Sequence, residues 1–294
     1  MERIGFSIKF GLMLALGLCG QLAYASSDRV YMSPMEKSLW TLTVDDPLRC
    51  EIQHDIPRFG KAVFYQESGR SLQLRVETNH VYKKDMPIAF RSVTANWKGI
   101  QYQTELANLA STGSRALVDV KSTAARQAYF ELEQGYQPSL FFRDEEDGLN
   151  QVAVILSTVN FRDVEADFGA CITRLHPYHF DDVQLARVHF DFDEEFPKEE
   201  EEDRALQNIL DYIQLDPSVK TLLIEGHADF KGTECYNDTL SARRAWYIYD
   251  YLIQSNVDPK MLDVRFYGES KPRKKGRDDT SRAVNRRVTV RMLK

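Results

Sequence analysis

Apolar and polar positions alternate with a period of two through much of the first half of the chain. In SLQLRVETN, Leu72, Leu74 and Val76 fall on one face, while Gln73, Arg75 and Glu77 fall on the other. WTLTVDD, KAVFYQES, MPIAFRSVTANW, QAYFELEQG, PSLFFRDE and QVAVILSTV are also short, rich in β-branched or aromatic residues, and bounded by turn residues. Such a series predicts an all-β domain, an antiparallel barrel or sandwich, because paired strands are what bury a period-two face. FRDVEADFGACITRL is ambiguous and also fits a short helix. His54 and His80 stand alone and read as surface or capping residues.

The pattern changes across TRLHPYHFDDVQ, Thr173 to Gln184, which reads as a linker. His176 and His179 are three apart, but Pro177 between them breaks the helical spacing a metal pair would use, so no metal is expected. Beyond it, ARVHFDFD predicts a strand with Val188, Phe190 and Phe192 facing inward. PKEEEEDRALQNILDYIQ predicts a helix whose acidic first turns suit the positive end of its dipole. VKTLLIEGHAD, MLDVRFYGES and RRVTVRML predict strands, and NDTLSARRAWYIYDYLIQSN a long helix. Strands alternating with helices indicate an α/β sandwich, one sheet covered by helices. The expected organisation is a signal peptide at 1–25, an all-β domain at 26–175, a linker at 176–185 and an α/β domain at 186–294.

The leader reading rests on composition. Arg3 and Lys9 precede the apolar run Phe10 to Leu18, and Ala23-Tyr24-Ala25 offers a small-x-small cleavage pattern before Ser26. The apolar run is shorter than a membrane span. Lipidation at Cys19 is the competing reading, although the bulky Leu18 sits where a lipoprotein signal wants a small residue. Export leaves Cys50, Cys171 and Cys235 in an oxidising compartment. With a domain boundary near residue 180, the simplest pairing is a Cys50–Cys171 disulfide with Cys235 reduced. The net charge of −6 argues against general nucleic-acid binding, which needs a basic surface. That average conceals an acidic run, DEEFPKEEEED, and a basic one from Lys271 to Lys294. Both read first as solvated surface, with docking to an anionic glycan or a protein as the functional alternative.

The chemistry gathers in IEGHADFKGTECYNDTLSARRAWYIYDYL. His227 and Asp229 share a face at the end of a strand, Gly232 suits a tight loop, and Asn237 is placed to cap the next helix. At about 100° per residue, Leu240, Ala245, Ile248 and Leu252 form one apolar arc, and Arg244 falls inside it while Arg243 falls in water. A guanidinium on a buried face needs an anion. Two partners stay open on spacing alone: Asp229 or another internal acid, or an external carboxylate.

GHADFKGTECYNDTLSARRA resembles the signature of the OmpA-like peptidoglycan-binding domain family. VHFDFDEE resembles that family's first strand, and YGESKP and NRRVTVRM its last two. The resemblance covers roughly 186 to 294 and implies a clamp for the diaminopimelate residue of the cell-wall stem peptide. Asp229 and Arg244 would be its charged jaws, with Asn237, Leu240 and Asp193 lining the pocket. Cys235 departs from the polar or acidic residue usual in that loop, which puts affinity in doubt more than fold. The first half, including RCEIQHDIPRFGKAVFYQESGRSLQLRVET, resembles the MotY family of sodium-driven flagellar motors, and together with the second half that resemblance covers the whole chain. That resemblance implies a periplasmic structural anchor associated with the flagellar basal body ring, a MotX-like partner and the sodium-type stator complex. It implies no cofactor and no catalytic residue. The competing readings are a general outer-membrane-tethered anchor resembling peptidoglycan-associated lipoprotein, and a murein hydrolase built on His227, Asp229 and Cys235.

Overall fold

The computed structural model describes residues 29–95, 97–98, 102–145, 150–197 and 200–294, the side chains of 122 and 200–203 excepted. The signal-peptide reading and the alternative at Cys19 lie outside these residues.

In the first half the chain forms β1 (Arg29–Tyr31), β2 (Trp40–Asp46), β3 (Arg49–Ile56), β4 (Gly60–Glu67) and β5 (Gln73–Thr78). It continues through β6 (Pro87–Thr94), β7 (Gln103–Ala110), β8 (Ala116–Val120), α1 (Ser122–Glu133), β9 (Tyr136–Arg143), β10 (Gln151–Ile155) and α2 (Phe161–Thr173). Two five-stranded sheets result, ordered β2-β3-β4-β5-β8 and β1-β10-β9-β6-β7. The pairs are antiparallel except β1 with β10, which run parallel. The sheets share one core: Ile52, Phe64 and Leu74 come from the first, and Phe90, Leu140 and Val154 from the second. Neither sheet closes on itself among the described residues, so the architecture is a sandwich of open sheets and not a barrel.

Two helices modify the all-β expectation. QAYFELEQG, expected as a strand, lies largely in α1. Its buried residues Ala125, Ala128 and Leu132 recur at helical spacing. The aromatic residues between them suggest a strand, but Phe130 points outward. The ambiguous segment is helix α2, burying Phe161, Val164, Phe168 and Cys171 against the core. Cys171 is bonded there to Cys50 of β3, across a sequence separation of 121 residues.

His54 is neither a surface nor a capping residue. In β3, Cys50, Ile52, His54 and Ile56 alternate inward, and all four are buried. The His54 ring stacks on Trp40 at 4.8 Å, and its Nδ1 meets the Leu39 carbonyl at 3.0 Å. Nδ1 is therefore the donor, and the buried Nε2 has no partner. Burial pushes the His54 pKa below its ordinary 6.5. Above that value His54 is neutral folded and unfolded; as pH falls below it, the unfolded chain takes the proton first and stability is lost. We expect the urea midpoint of the first domain to fall between pH 7 and pH 5 more steeply in the wild type than in His54→Phe, which keeps a ring against Trp40. Equal slopes would show that another group drives the acid transition.

The segment expected as a linker is ordered and packed. Helix α3 (Phe180–Val183) is capped by His179, whose ring accepts from the Asp181 N–H in a capping box completed by Asp182. His179 thus serves the backbone. His176 N–H donates to the Pro47 carbonyl at 2.8 Å, and Arg70 pairs with Asp182 at 3.0 Å. Gly69, at φ +64°, faces the His179 backbone where a Cβ would come within 2.5 Å. The turns of the first domain therefore seat directly on this segment.

The second half consists of β11 (Leu185–His189), α4 (Glu200–Leu215), β12 (Thr221–His227), α5 (Glu234–Gln254), β13 (Leu262–Phe266), α6 (Asp279–Asn285) and β14 (Arg287–Leu293). The sheet order is β11-β14-β12-β13, with β13 parallel to β12 and the other pairs antiparallel. Val188, Leu222, Ile224, Val288 and Val290 meet Ile209 of α4 and Ala245, Ile248 and Leu252 of α5 in a second core. The period-two expectation fails at one residue: β11 ends at His189, and Phe192 is exposed in the loop beyond it.

Candidate functional site

The site forms where β12 runs out. Gly226 is required there, because a Cβ would lie 2.2 Å from the Ser241 carbonyl; its absence lets α5 press against the strand. The chain then turns through Asp229, whose Oδ1 accepts from the Lys231 N–H at 2.8 Å. Gly232 follows at φ +112°. Thr233 caps α5 by accepting from the Tyr236 N–H. Asn237, expected as the cap, lies one turn inside the helix because α5 begins at Glu234. Its side-chain amide donates to Glu269 instead. Cys235 belongs to the exposed first turn of α5 and not to the loop.

Arg244 sits on the buried face of α5, as the helical spacing expects, and is fully enclosed. Its Nε donates to the Glu194 carbonyl at 2.8 Å and its Nη2 to the Asp191 carbonyl at 3.0 Å. Nη1 reaches the His227 carbonyl at 3.4 Å, and the guanidinium lies 4.9 Å from the Phe190 ring centroid. Among the described residues these hydrogen bonds all go to neutral carbonyls. The fork therefore ties the loop after β11 to the end of β12 and keeps its charge unneutralised by contact. Burial, reinforced by Arg286, pulls the Arg244 pKa down to about 10, with Asp229 and Asp193 acting in the opposite sense. Arg243 projects to solvent and pairs with Glu195 at 2.5 Å.

Asp229 does not pair with Arg244. Its Oδ2 meets Arg286 Nη1 at 2.9 Å in a largely buried ion pair, while Arg286 Nε donates to the Phe190 carbonyl at 3.0 Å. Arg286 thus holds Asp229 in place from just before the last strand. The signal for it is in NRRVTVRM: Val288, Val290 and Met292 face the core, so Arg287 faces the other side and Arg286, just before the strand, is left to reach the site.

Asp193 adopts φ +65° in the loop after β11, and its carboxylate accepts from the Tyr236 hydroxyl. Asp193, Asp229, Asn237, Leu240 and Arg244 thus line one cleft of about 120 Å³, joined by Arg286. The volume suits the end of one side chain. Two carboxylates and two guanidiniums at its walls suit a guest carrying both signs. His227, at the strand end, faces away toward Tyr267. Burial, with help from Arg287 and Lys271, lowers its pKa to about 4.

Comparison with known proteins agrees with this division of the chain. Residues 190–286 match the OmpA family. Residues 31–177, half of the chain, match the MotY N-terminal domain. The chain belongs to the MotY family. Its similarity to the sodium-type flagellar protein MotY of Vibrio parahaemolyticus runs end to end, at 24% identity over 292 residues and 96% of each chain. The second domain is also similar to the peptidoglycan-associated lipoprotein of Pseudomonas aeruginosa, 39% identical over 77 residues. That match spans 26% of this chain and 46% of the lipoprotein. The crystal structure of the lipoprotein from Burkholderia pseudomallei matches 37% of this MotY-family chain and 90% of its own, at 30% identity and a TM-score of 0.35.

Proposed function

We propose that the chain is a structural anchor of the sodium-driven flagellar motor in the periplasm. Its second domain holds the stem peptide of peptidoglycan, and its first domain meets the basal body ring, a MotX-like partner and the stator complex. The assignment to a motor follows the family and the relative named for a sodium-type flagellum; the wall ligand follows the lipoproteins named for their association with peptidoglycan. One observation carries the ligand. Arg244 is held rigid by three carbonyls that cancel none of its charge, at the wall of a cleft whose other wall holds Asp229. The side chain of diaminopimelate ends in an ammonium and a carboxylate, so it offers Arg244 a bidentate acceptor and the acids a donor. Charge-assisted hydrogen bonds contribute roughly 1.5–3 kcal/mol each, which gives a weak to moderate single site, and avidity across one mesh supplies the rest. The cleft binds and has no catalytic step: Cys235 is exposed on the helix start, and His227 turns from the cleft toward Tyr267.

The test is retention on purified sacculi. Asp229→Asn and Arg244→Ala should each lose at least tenfold in retention (on the order of 1.4 kcal/mol), and Arg243→Ala should match the wild type. Free diaminopimelate should release the wild type. Asparagine is preferred at 229 because it keeps a hydrogen-bond acceptor for Arg286, and circular dichroism checks the fold. Equal retention by all four proteins would remove the clamp.

A further inference from the structure

Among the described residues the helices α4 and α5 pack on one side of the second domain's sheet, and its other side carries a cluster of arginines. On β14, Arg287, Thr289 and Arg291 alternate with the core residues Val288, Val290 and Met292. Arg187 of β11 lies opposite Thr289 on one flank, and Glu225 of β12 lies opposite it on the other. Arg273, in the loop leading to α6, is fixed at its backbone by Asn285, whose Oδ1 accepts its N–H at 2.8 Å. Its charge acts on both Arg187 and Arg287, and that of Arg291 acts on Arg187. Four guanidiniums therefore share one face.

They share it with little counter-charge. The guanidiniums of Arg187, Arg273 and Arg291 make no hydrogen bond or ion pair among the described residues. Arg287 is buried, gives only two long bonds to the carbonyls of Asn285 (3.3 Å) and Lys271 (3.4 Å), and leaves its Nε without a partner. Glu225 is the carboxylate that acts on Arg287, and it already accepts from Thr289 Oγ1. Asp263, at the sheet edge, is taken by Arg265 at 2.6 Å. In a chain whose net charge is −6, such a cluster of arginines runs counter to the average. Arg287 is buried and Arg187 half-buried, with Arg273 and Arg291 exposed beside them. Holding the Arg287 charge out of water among like charges costs stability, so the arrangement is ready for an anion.

We propose that this face is an oxyanion site that takes a phosphoryl group between Arg187, Arg273 and Arg287. A carboxylate offers two oxygens and one charge and satisfies a single fork. A phosphate monoester carries about −1.5 to −2 and three acceptor oxygens, which matches converging guanidiniums better. The site is separate from the cleft, because neighbouring arginines serve opposite sides: Arg286 holds Asp229, and Arg287 belongs here. The group can come from soluble phosphate or from a lipid headgroup.

The experiment uses the full chain with inorganic phosphate as the probe, against chloride at matched ionic strength. Phosphate at tenfold its Kd should raise the melting temperature by roughly 4 °C. Arg187→Gln/Arg273→Gln should abolish that shift, while Lys274→Gln in the same loop keeps it. Without phosphate the double variant should melt at or above the wild-type temperature, since like charge has been removed. A lower melting point without phosphate would assign these arginines a structural role and overturn the proposal, as would an equal phosphate shift in all proteins. Vesicles of phosphatidylcholine with or without phosphatidic acid then separate the sources. Capture by phosphatidic acid that phosphate reverses assigns a headgroup; a phosphate shift without capture assigns soluble phosphate. Sacculus retention should be unchanged in the double variant, so failure here leaves the cleft reading untouched.

Discussion

Replacing Cys50 and Cys171 together by alanine should cost the first domain about 4–5 kcal/mol, the largest stability effect expected of any change in the chain. The bond links β3 to α2 across 121 residues, and both cysteines are buried in the core that the two sheets share. Opening a loop of that length restores conformational freedom to the unfolded chain, and the gain grows with the logarithm of loop length. A domain of this kind has on the order of 5–15 kcal/mol in all, so the loss is a large fraction of it. The folded side changes less, since alanine keeps the apolar surroundings of both sites. Urea unfolding of wild type and double variant should therefore show the first domain melting at much lower urea, with the transition of the second domain in place. Reductant should move the wild type toward the variant and leave the variant where it is. Coincident transitions for the two proteins would mean that the crosslink closes a loop already closed in the unfolded state.

The sequence made the second domain legible because its signals are local. The arc Leu240, Ala245, Ile248 and Leu252 places Arg244 inside and Arg243 outside by helical geometry alone, and both are found there. What it did not reveal is pairing. Asp229 is bonded to Arg286, 57 residues further on, and only the fold brings β14 beside the end of β12. The start of α5 was misjudged for a smaller reason: Thr233 and Asn237 are both good caps, and the choice fell to the loop geometry around Gly232. In the first domain the alternating strands were readable, and the open sheets were not, since closure depends on which edges meet. His54 shows the same limit from the other side. Its period-two neighbours Cys50, Ile52 and Ile56 mark it as inward, but histidine is polar, and the stack on Trp40 that makes burial tolerable comes from the neighbouring strand.

Arg244→Lys should lose most sacculus binding even though the charge stays, with a fall of about 100-fold in affinity. The guanidinium spends its donors in three directions, on the carbonyls of Glu194, Asp191 and His227, and its plane lies over Phe190. An ammonium is a compact, strongly hydrated point charge with three donors and no flat face, so it cannot hold three carbonyls from two segments and still present a fork to the ligand. Two carbonyls left without donors in a buried site cost about 1–3 kcal/mol each, which frees the loop that carries Asp193. Losing that loop's position and one bidentate contact together accounts for roughly 2.7 kcal/mol, the equivalent of the expected 100-fold. The stability of the second domain should fall in the same variant, and the split between the two effects is readable. Arg244→Met, which fills the cavity without charge, should bind no better than Arg244→Lys; if lysine instead binds near the wild-type level, then charge alone holds the ligand, and the rigid fork has no part in recognition.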